Sequence, residues 1–117
     1  MKAEHISIPC IGQSIEFRIG ENAQDNFDII DMSSPDDIWF HVNEMSSCHV
    51  IAVIPTDIKL SRKQLQKLIT QGALLCKMNS KYKSVKKLNI IYSKLSNIVK
   101  TEVVGQVNVV DGKIIEI

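Results

Sequence analysis

The stretch Asp36-Asp37-Ile38-Trp39-Phe40-His41-Val42, answered by His49-Val50-Ile51-Ala52-Val53-Ile54, decides how this chain folds. Both runs are rich in β-branched and aromatic residues; the polar segment Asn43–Ser47 separates them and Pro55 closes the second. They read as two strands of an antiparallel hairpin. Side chains alternate across a strand, so Asp37, Trp39 and His41 share one face while Ile38, Phe40 and Val42 share the other. Pairing of the two runs would bring His49 near His41, and two imidazoles, an indole and a carboxylate would then converge. Ser33-Ser34-Pro35-Asp36, just upstream, has the composition of a turn.

Working outward toward the N-terminus, Ile6–Ile11 and Ile15–Ile19 flank Gly12 and suggest a second hairpin, ended by Gly20. The spacing of Phe27 and Ile30 predicts a short helix over about residues 23–32. On the C-terminal side, Ser61 and Gln64 form an S-x-x-Q capping box that opens a long helix over about residues 61–77. Leu65, Leu68, Ile69, Ala73 and Cys76 recur on its buried face, and Gly72 on the same face would let the helix approach a sheet closely. Met78–Lys87 reads as a lysine-rich loop and Leu88–Tyr92 as a strand. Ser93–Thr101 reads as a connection, and Val103–Val110 as another strand. Asp111-Gly112 predicts a tight hairpin joining Val109-Val110 to Ile114-Ile115. The expected architecture is a single α+β domain over residues 1–117: a mostly antiparallel sheet of about six to seven strands with its helices on one face.

A chain of 117 residues with 44% hydrophobic and 23% charged residues can bury one core and is not composed like a disordered tail. No stretch approaches the roughly 18 uninterrupted apolar residues of a membrane span. The opening MKAEHISIPC alternates like a strand instead of following the basic-then-apolar layout of a signal peptide. A cytoplasmic or nuclear protein without membrane insertion is therefore expected. Cys10, Cys48 and Cys76 form no CxxC pair and read as reduced thiols serving as small core hydrophobes.

The near-neutral net charge of +1 hides a strong asymmetry. Residues 1–57 hold two basic against ten acidic side chains, whereas residues 58–117 hold twelve basic against three acidic. Between Lys59 and Lys100 there are eleven Lys or Arg residues and no Asp or Glu. Such a segregated cationic segment points to a polyanionic partner. Lys77, Lys81, Lys83, Lys86 and Lys87 cluster at or beyond the end of the long helix, and Lys100 follows Asn97. Favourable contact with the helix dipole accounts for one such lysine, not for five in eleven residues.

The His41–His49 neighbourhood admits three chemistries. Two histidines beside an aspartate could bind a metal, but nothing local supplies a third or fourth ligand at a recognised spacing, so no metal is expected. Two imidazoles and a lysine are also the components of acid–base RNA cleavage. Alternatively Trp39 packs, Asp37 caps the turn, and the same face meets unpaired bases. Gly20 is accompanied by no GxGxxG or GK[ST] pattern, so no nucleotide cofactor is expected.

In chain order, IGENAQDN (19–26), PDDIWFHVNEMSSCHV (35–50), GALLCKMNSK (72–81), NIIYS (89–93), NIVKT (97–101) and VVGQV (103–107) resemble the NFACT RNA-binding domain, the C-terminal module of NEMF, FbpA and Caliban-type proteins. The likeness runs over about residues 12–117, and DIWFH followed by HV is its specific part. The resemblance implies RNA binding in translation, chiefly in ribosome-associated quality control. The implied partners are tRNA or rRNA, the large ribosomal subunit, or a quality-control protein. The characteristic positions fall on Gly20, Asn22, Asn26, Asp37, Trp39, His41, His49, Lys77, Lys81, Tyr92 and Lys100. Ser46-Ser47-Cys48 stands where many members have Pro-Gly-Ser. The N-terminal glycosylase-like domain, helix-hairpin-helix segment and coiled coil of larger members have no counterpart in these residues, which implies a stand-alone domain.

The combined expectation is a non-catalytic RNA-binding surface. Lys77, Lys81, Lys83, Lys86, Lys87 and Lys100 would meet phosphates; Asp37, Trp39, His41 and His49 would present a stacking and hydrogen-bonding face, with Arg18 and Asn22 completing one edge. The rival readings are an RNA-cleaving enzyme using His41 and His49, and a protein adaptor acting through Trp39 or the acidic N-terminal half.

Overall fold

The computed structural model describes residues 1–117. Its centre is the strand pair read first from the sequence: β3 (Ile38–Val42) lies antiparallel to β4 (Val50–Ala52), with Trp39 opposite Ile51 and Phe40 opposite Val50. The N-terminal hairpin of β1 (Lys2–Ile8) and β2 (Gln13–Ile19) joins through β2 and β4, and β5 (Asn89–Lys94) and β8 (Lys113–Glu116) extend the other side. The resulting six-stranded sheet has the order β1-β2-β4-β3-β5-β8, with every pair antiparallel.

Alternation along β3 builds two cores. Ile38, Phe40 and Val42 point to the face covered by α2 (Arg62–Met78) and join Ile15, Phe17, Leu68, Ala73 and Cys76 in the main cluster. The α2 capping box is present in full: Ser61 Oγ accepts from the Gln64 N–H and Gln64 Oε1 from the Ser61 N–H. Gly72 meets the Phe40 ring so closely that a Cβ there would lie 2.2 Å from it. The absent side chain is what lets helix and sheet touch.

On the opposite face, Trp39 and Ile51 pack with Leu95 and with Ile29 of α1 (Ala23–Asp31). The two helices therefore cover opposite faces, not one face as the sequence suggested. The physical reason is that β3 is apolar on both sides, and Trp39 and Ile51 need a cover of their own. That cover is completed by a small separate hairpin, β6 (Ile98–Lys100) and β7 (Val107–Val109), placed inside what the sequence presented as a connection and one long strand. Gly105, at φ +84°, turns the chain between them.

Further corrections concern the ends. The first strand begins earlier than expected and stops at Ile8, because Ile11 and Gly12 turn back onto the Ile8 carbonyl. Asp111-Gly112 does not join a hairpin: β7 pairs with β6 and β8 with β5. Only Asp111, at φ 53°, has the positive φ that a tight hairpin turn of this kind needs at both central residues. Cys10 is exposed, whereas Cys76 is buried and touches half-buried Cys48. No helix is long and apolar enough to cross a membrane.

Candidate nucleic-acid interface

At the end of the sheet where β3 stops and β4 starts, the α1 face opens into a cleft of about 980 Å³. Its floor is Trp39, His41 and His49. Its walls are the start of α1 (Glu21–Ala23), the loop Asn43–Cys48 and the tip of the small hairpin, Val103–Gln106. Strand alternation puts Trp39 and His41 side by side, their rings 5.7 Å apart and nearly parallel. The pairing of β3 with β4 then stands His49 perpendicular to both, 5.3 Å from Trp39 and 5.0 Å from His41. Convergence of the three rings follows from the register of one hairpin.

Trp39 and His49 are each only 2% exposed, and the indole Nε1–H donates to His49 Nδ1 at 3.1 Å. An exposed stacking face on Trp39 is therefore not what the structure provides; the indole is a support that holds His49. Asn26, itself buried, secures the other side by accepting the His49 backbone N–H on Oδ1. Gly20 closes the knot: its N–H donates to the His49 carbonyl, and a Cβ there would sit 2.1 Å from Asn26 Oδ1. Half-buried His41 uses Nδ1–H to donate to the Val42 carbonyl at 2.6 Å. Burial lowers the pKa of both rings. That of His49 falls to about 3 through desolvation, with the nearby His41 adding in the same direction. Both imidazoles are consequently neutral at physiological pH.

Asp37 does not reach the cleft. It is 3% exposed, and its two oxygens accept the Ser34 and Ile54 N–H groups at 2.9 Å each. This is the turn-capping role considered beside the functional one. Arg18 is likewise occupied: it ties β2 to the end of α1 through the Met32 carbonyl and Ser33 Oγ, with Glu16 on its Nε. Asn22, exposed at the cleft wall, spends its Oδ1 on capping α1 at the Asp25 N–H. Lys100 is held by Asp31 at 2.6 Å and lies over the Phe27 ring.

The remaining lysines behave differently. β5 is antiparallel to β3, and the Asn43 N–H bonds the Asn89 carbonyl, so the 78–88 segment and the cleft loop emerge at the same end of the sheet. Lys81, Lys83, Lys86 and Lys87 are exposed there with no acidic partner. Lys77 reaches the Ile117 carbonyl at 3.1 Å. Lys2, on the opposite side, lines the cleft directly. Sequence reasoning passed over Lys2, Asn43 and the 103–106 tip. Lys2 carried a charge signal, as one of two cations in an acidic half, while Asn43 and 103–106 lay within segments of the family likeness.

The sequence matches the family described as NFACT protein RNA binding domain over residues 15–112, including every ring that floors the cleft. The chain belongs to this family. Within the NFACT RNA-binding domains its relatives include coiled-coil domain-containing protein 25 of Danio rerio, 37% identical over 93 residues, and of Bos taurus and Mus musculus, each 34% identical. Those alignments take in 71% of this chain and 40% of each relative's length. The C-terminal part of the fibronectin/fibrinogen-binding protein of Streptococcus suis has the same fold, with a TM-score of 0.80 at 18% identity over 100% of this chain and 46% of that one. An RNA-binding role follows from family membership.

Proposed function

We propose that this NFACT RNA-binding domain is a non-catalytic module that holds tRNA or rRNA in the cytoplasm, in the setting of translation or ribosome-associated quality control. One observation carries the reading: a cleft floored by neutral imidazoles opens at the same end of the sheet as a run of unpaired lysines. The lysines supply sequence-independent affinity through phosphate contacts and counterion release. The cleft supplies a confined surface for what projects from the backbone.

The rival reading, RNA cleavage by His41 and His49, meets a physical obstacle. A general acid–base pair needs one imidazole protonated near the working pH. Burial holds both rings below the ordinary histidine value, and His49 at about 3 is not in the imidazolium form that a general acid requires. Fluorescence anisotropy of labelled tRNA and rRNA fragments against salt tests the proposal: affinity should fall steeply as salt rises. Equal affinity at about 50 and 300 mM salt defeats it.

A further inference from the structure

The two hydrogen bonds that orient the cleft histidines also fix which nitrogen of each carries the proton. An indole N–H is a donor only, so His49 Nδ1, which receives it, is the bare acceptor and the neutral ring bears its proton on Nε2. A carbonyl is an acceptor only, so His41 Nδ1 carries the proton and His41 Nε2 is bare. The pair therefore presents one donor, His49 Nε2–H, and one acceptor, His41 Nε2. Neither atom has a partner in the protein. No fully occluded side-chain nitrogen or oxygen lacks a hydrogen bond, so both unpartnered atoms keep some solvent contact in the rings that line the cleft.

We infer that His49 Nε2–H and His41 Nε2 together bind one unpaired nucleobase through its Watson–Crick edge, inserted between the Val103–Gln106 tip and the Asn43–Cys48 loop. This deepens the RNA-binding reading and rests on it. Every base carries a donor next to an acceptor on that edge, and the edge is free only when the base is unpaired. The rings lie 5.0 Å apart at right angles. Two hydrogen bonds of about 2.9 Å would join the two Nε2 atoms to neighbouring atoms of one planar base. The cleft walls are mixed in kind: exposed Val103 and Val104 offer apolar contact, and Asn43 and exposed Ser46 offer further polar atoms. The α1 N-terminus, by contrast, is occupied by the protein's own groups: the Asp25 carboxylate caps the Glu21 N–H and holds the Met1 ammonium at 2.6 Å. The base enters the cleft and the phosphates stay outside with the lysines. The domain thus prefers single strands, loops and ends over duplex.

Three oligomers of about ten nucleotides test this: uridine, N3-methyluridine, which lacks the N–H donor, and an abasic backbone of equal charge. Binding is read by anisotropy, and the histidine side chains by two-bond ¹H–¹⁵N spectra. The free protein should show His49 as the Nε2–H tautomer and His41 as the Nδ1–H tautomer. The uridine oligomer should bind about tenfold more tightly than the other two and shift both Nε2 signals. His41→Phe, which keeps a flat ring against Trp39 without the acceptor, should reduce uridine binding to the level of the abasic oligomer. Equal binding of all three oligomers with unmoved histidine signals overturns the base site but leaves the RNA-binding reading standing, as do the opposite tautomers in the free protein. No binding of any oligomer removes both.

Discussion

The Trp39 indole N–H donates to His49 Nδ1 at 3.1 Å, and neither side chain is more than 2% exposed. A bond sealed in this way matters most when half of it is removed. Trp39→Phe retains the aromatic bulk between Ile29 and Leu95 but leaves His49 Nδ1 buried without a donor. The expected loss is about 1–3 kcal/mol of folding stability, the desolvation cost of an orphaned polar group. Urea unfolding monitored by far-UV circular dichroism gives the number. A variant as stable as the parent would mean that the bond contributes nothing.

Stability should also depend on pH in a defined direction. The folded-state pKa of His49 is depressed from 6.5 to about 3, mainly by desolvation, and that of His41 is lowered for the same reason. The unfolded chain takes up these protons as the pH falls below about 6.5, and the folded protein does not. Stability is therefore complete above that value and declines below it, continuing down to the folded-state pKa. His49 alone gives a slope of up to about 1.4 kcal/mol per pH unit. Urea midpoints at pH 7.5, 6.0 and 5.2 sample the window above the main carboxylate titrations. Identical midpoints across it would contradict the burial of both rings.

Gly72 sits where helix and sheet touch, with a Cβ position 2.2 Å from Phe40 Cζ. Gly72→Ala gains helix propensity of about 1 kcal/mol but must displace a fully buried ring. Overpacking of a closed core typically costs about 1–3 kcal/mol, so the net change is destabilising. Thermal unfolding should show a lower midpoint. An unchanged or higher midpoint would mean that Phe40 repacks freely.

How far the sequence could be read depends on the range of the interaction. The β3–β4 pair, the α2 capping box, the Gly72 approach and the meeting of His41 with His49 all follow from local periodicity or from one hairpin register, and each appears where expected. The strand drawn through Val103–Val110 failed because β-branched runs do not reveal which strand they pair with. Val107–Val109 went to β6, and Ile114–Ile115 to β5. The site divided in the same manner. The structure brings the named rings together in one cleft and leaves Lys81, Lys83, Lys86 and Lys87 exposed at the same end of the sheet. Whether a cation is free or already held depends on contacts distant in sequence, such as Lys100 with Asp31 and Arg18 with Ser33. Asp37 carried both readings at once, and only its burial beneath the Ser34 and Ile54 N–H groups decides for capping.

That distinction between free and held cations makes the strongest prediction about binding. Lys83 and Lys86 project from the loop at the same end of the sheet as the cleft, with no acidic partner, so each can release a counterion when it meets a phosphate. Lys83→Ala with Lys86→Ala should weaken binding of single-stranded RNA and reduce the slope of log affinity against log salt by roughly 1.4, about 0.7 for each lost contact. Lys100→Ala should leave that slope alone, because its ammonium already faces Asp31. As an exposed pair, it should cost stability no more than about 1 kcal/mol. Lys63, in the first turn of α2, lies at the far end of a 17-residue helix, about 25 Å from the cleft end. Lys63→Ala therefore separates two kinds of electrostatic binding. Weakening equal to that of the Lys83/Lys86 variant would mean that RNA spreads over the whole basic half of the molecule. No effect from Lys63→Ala, together with a reduced slope from the loop variant, places the phosphates at the mouth of the histidine cleft.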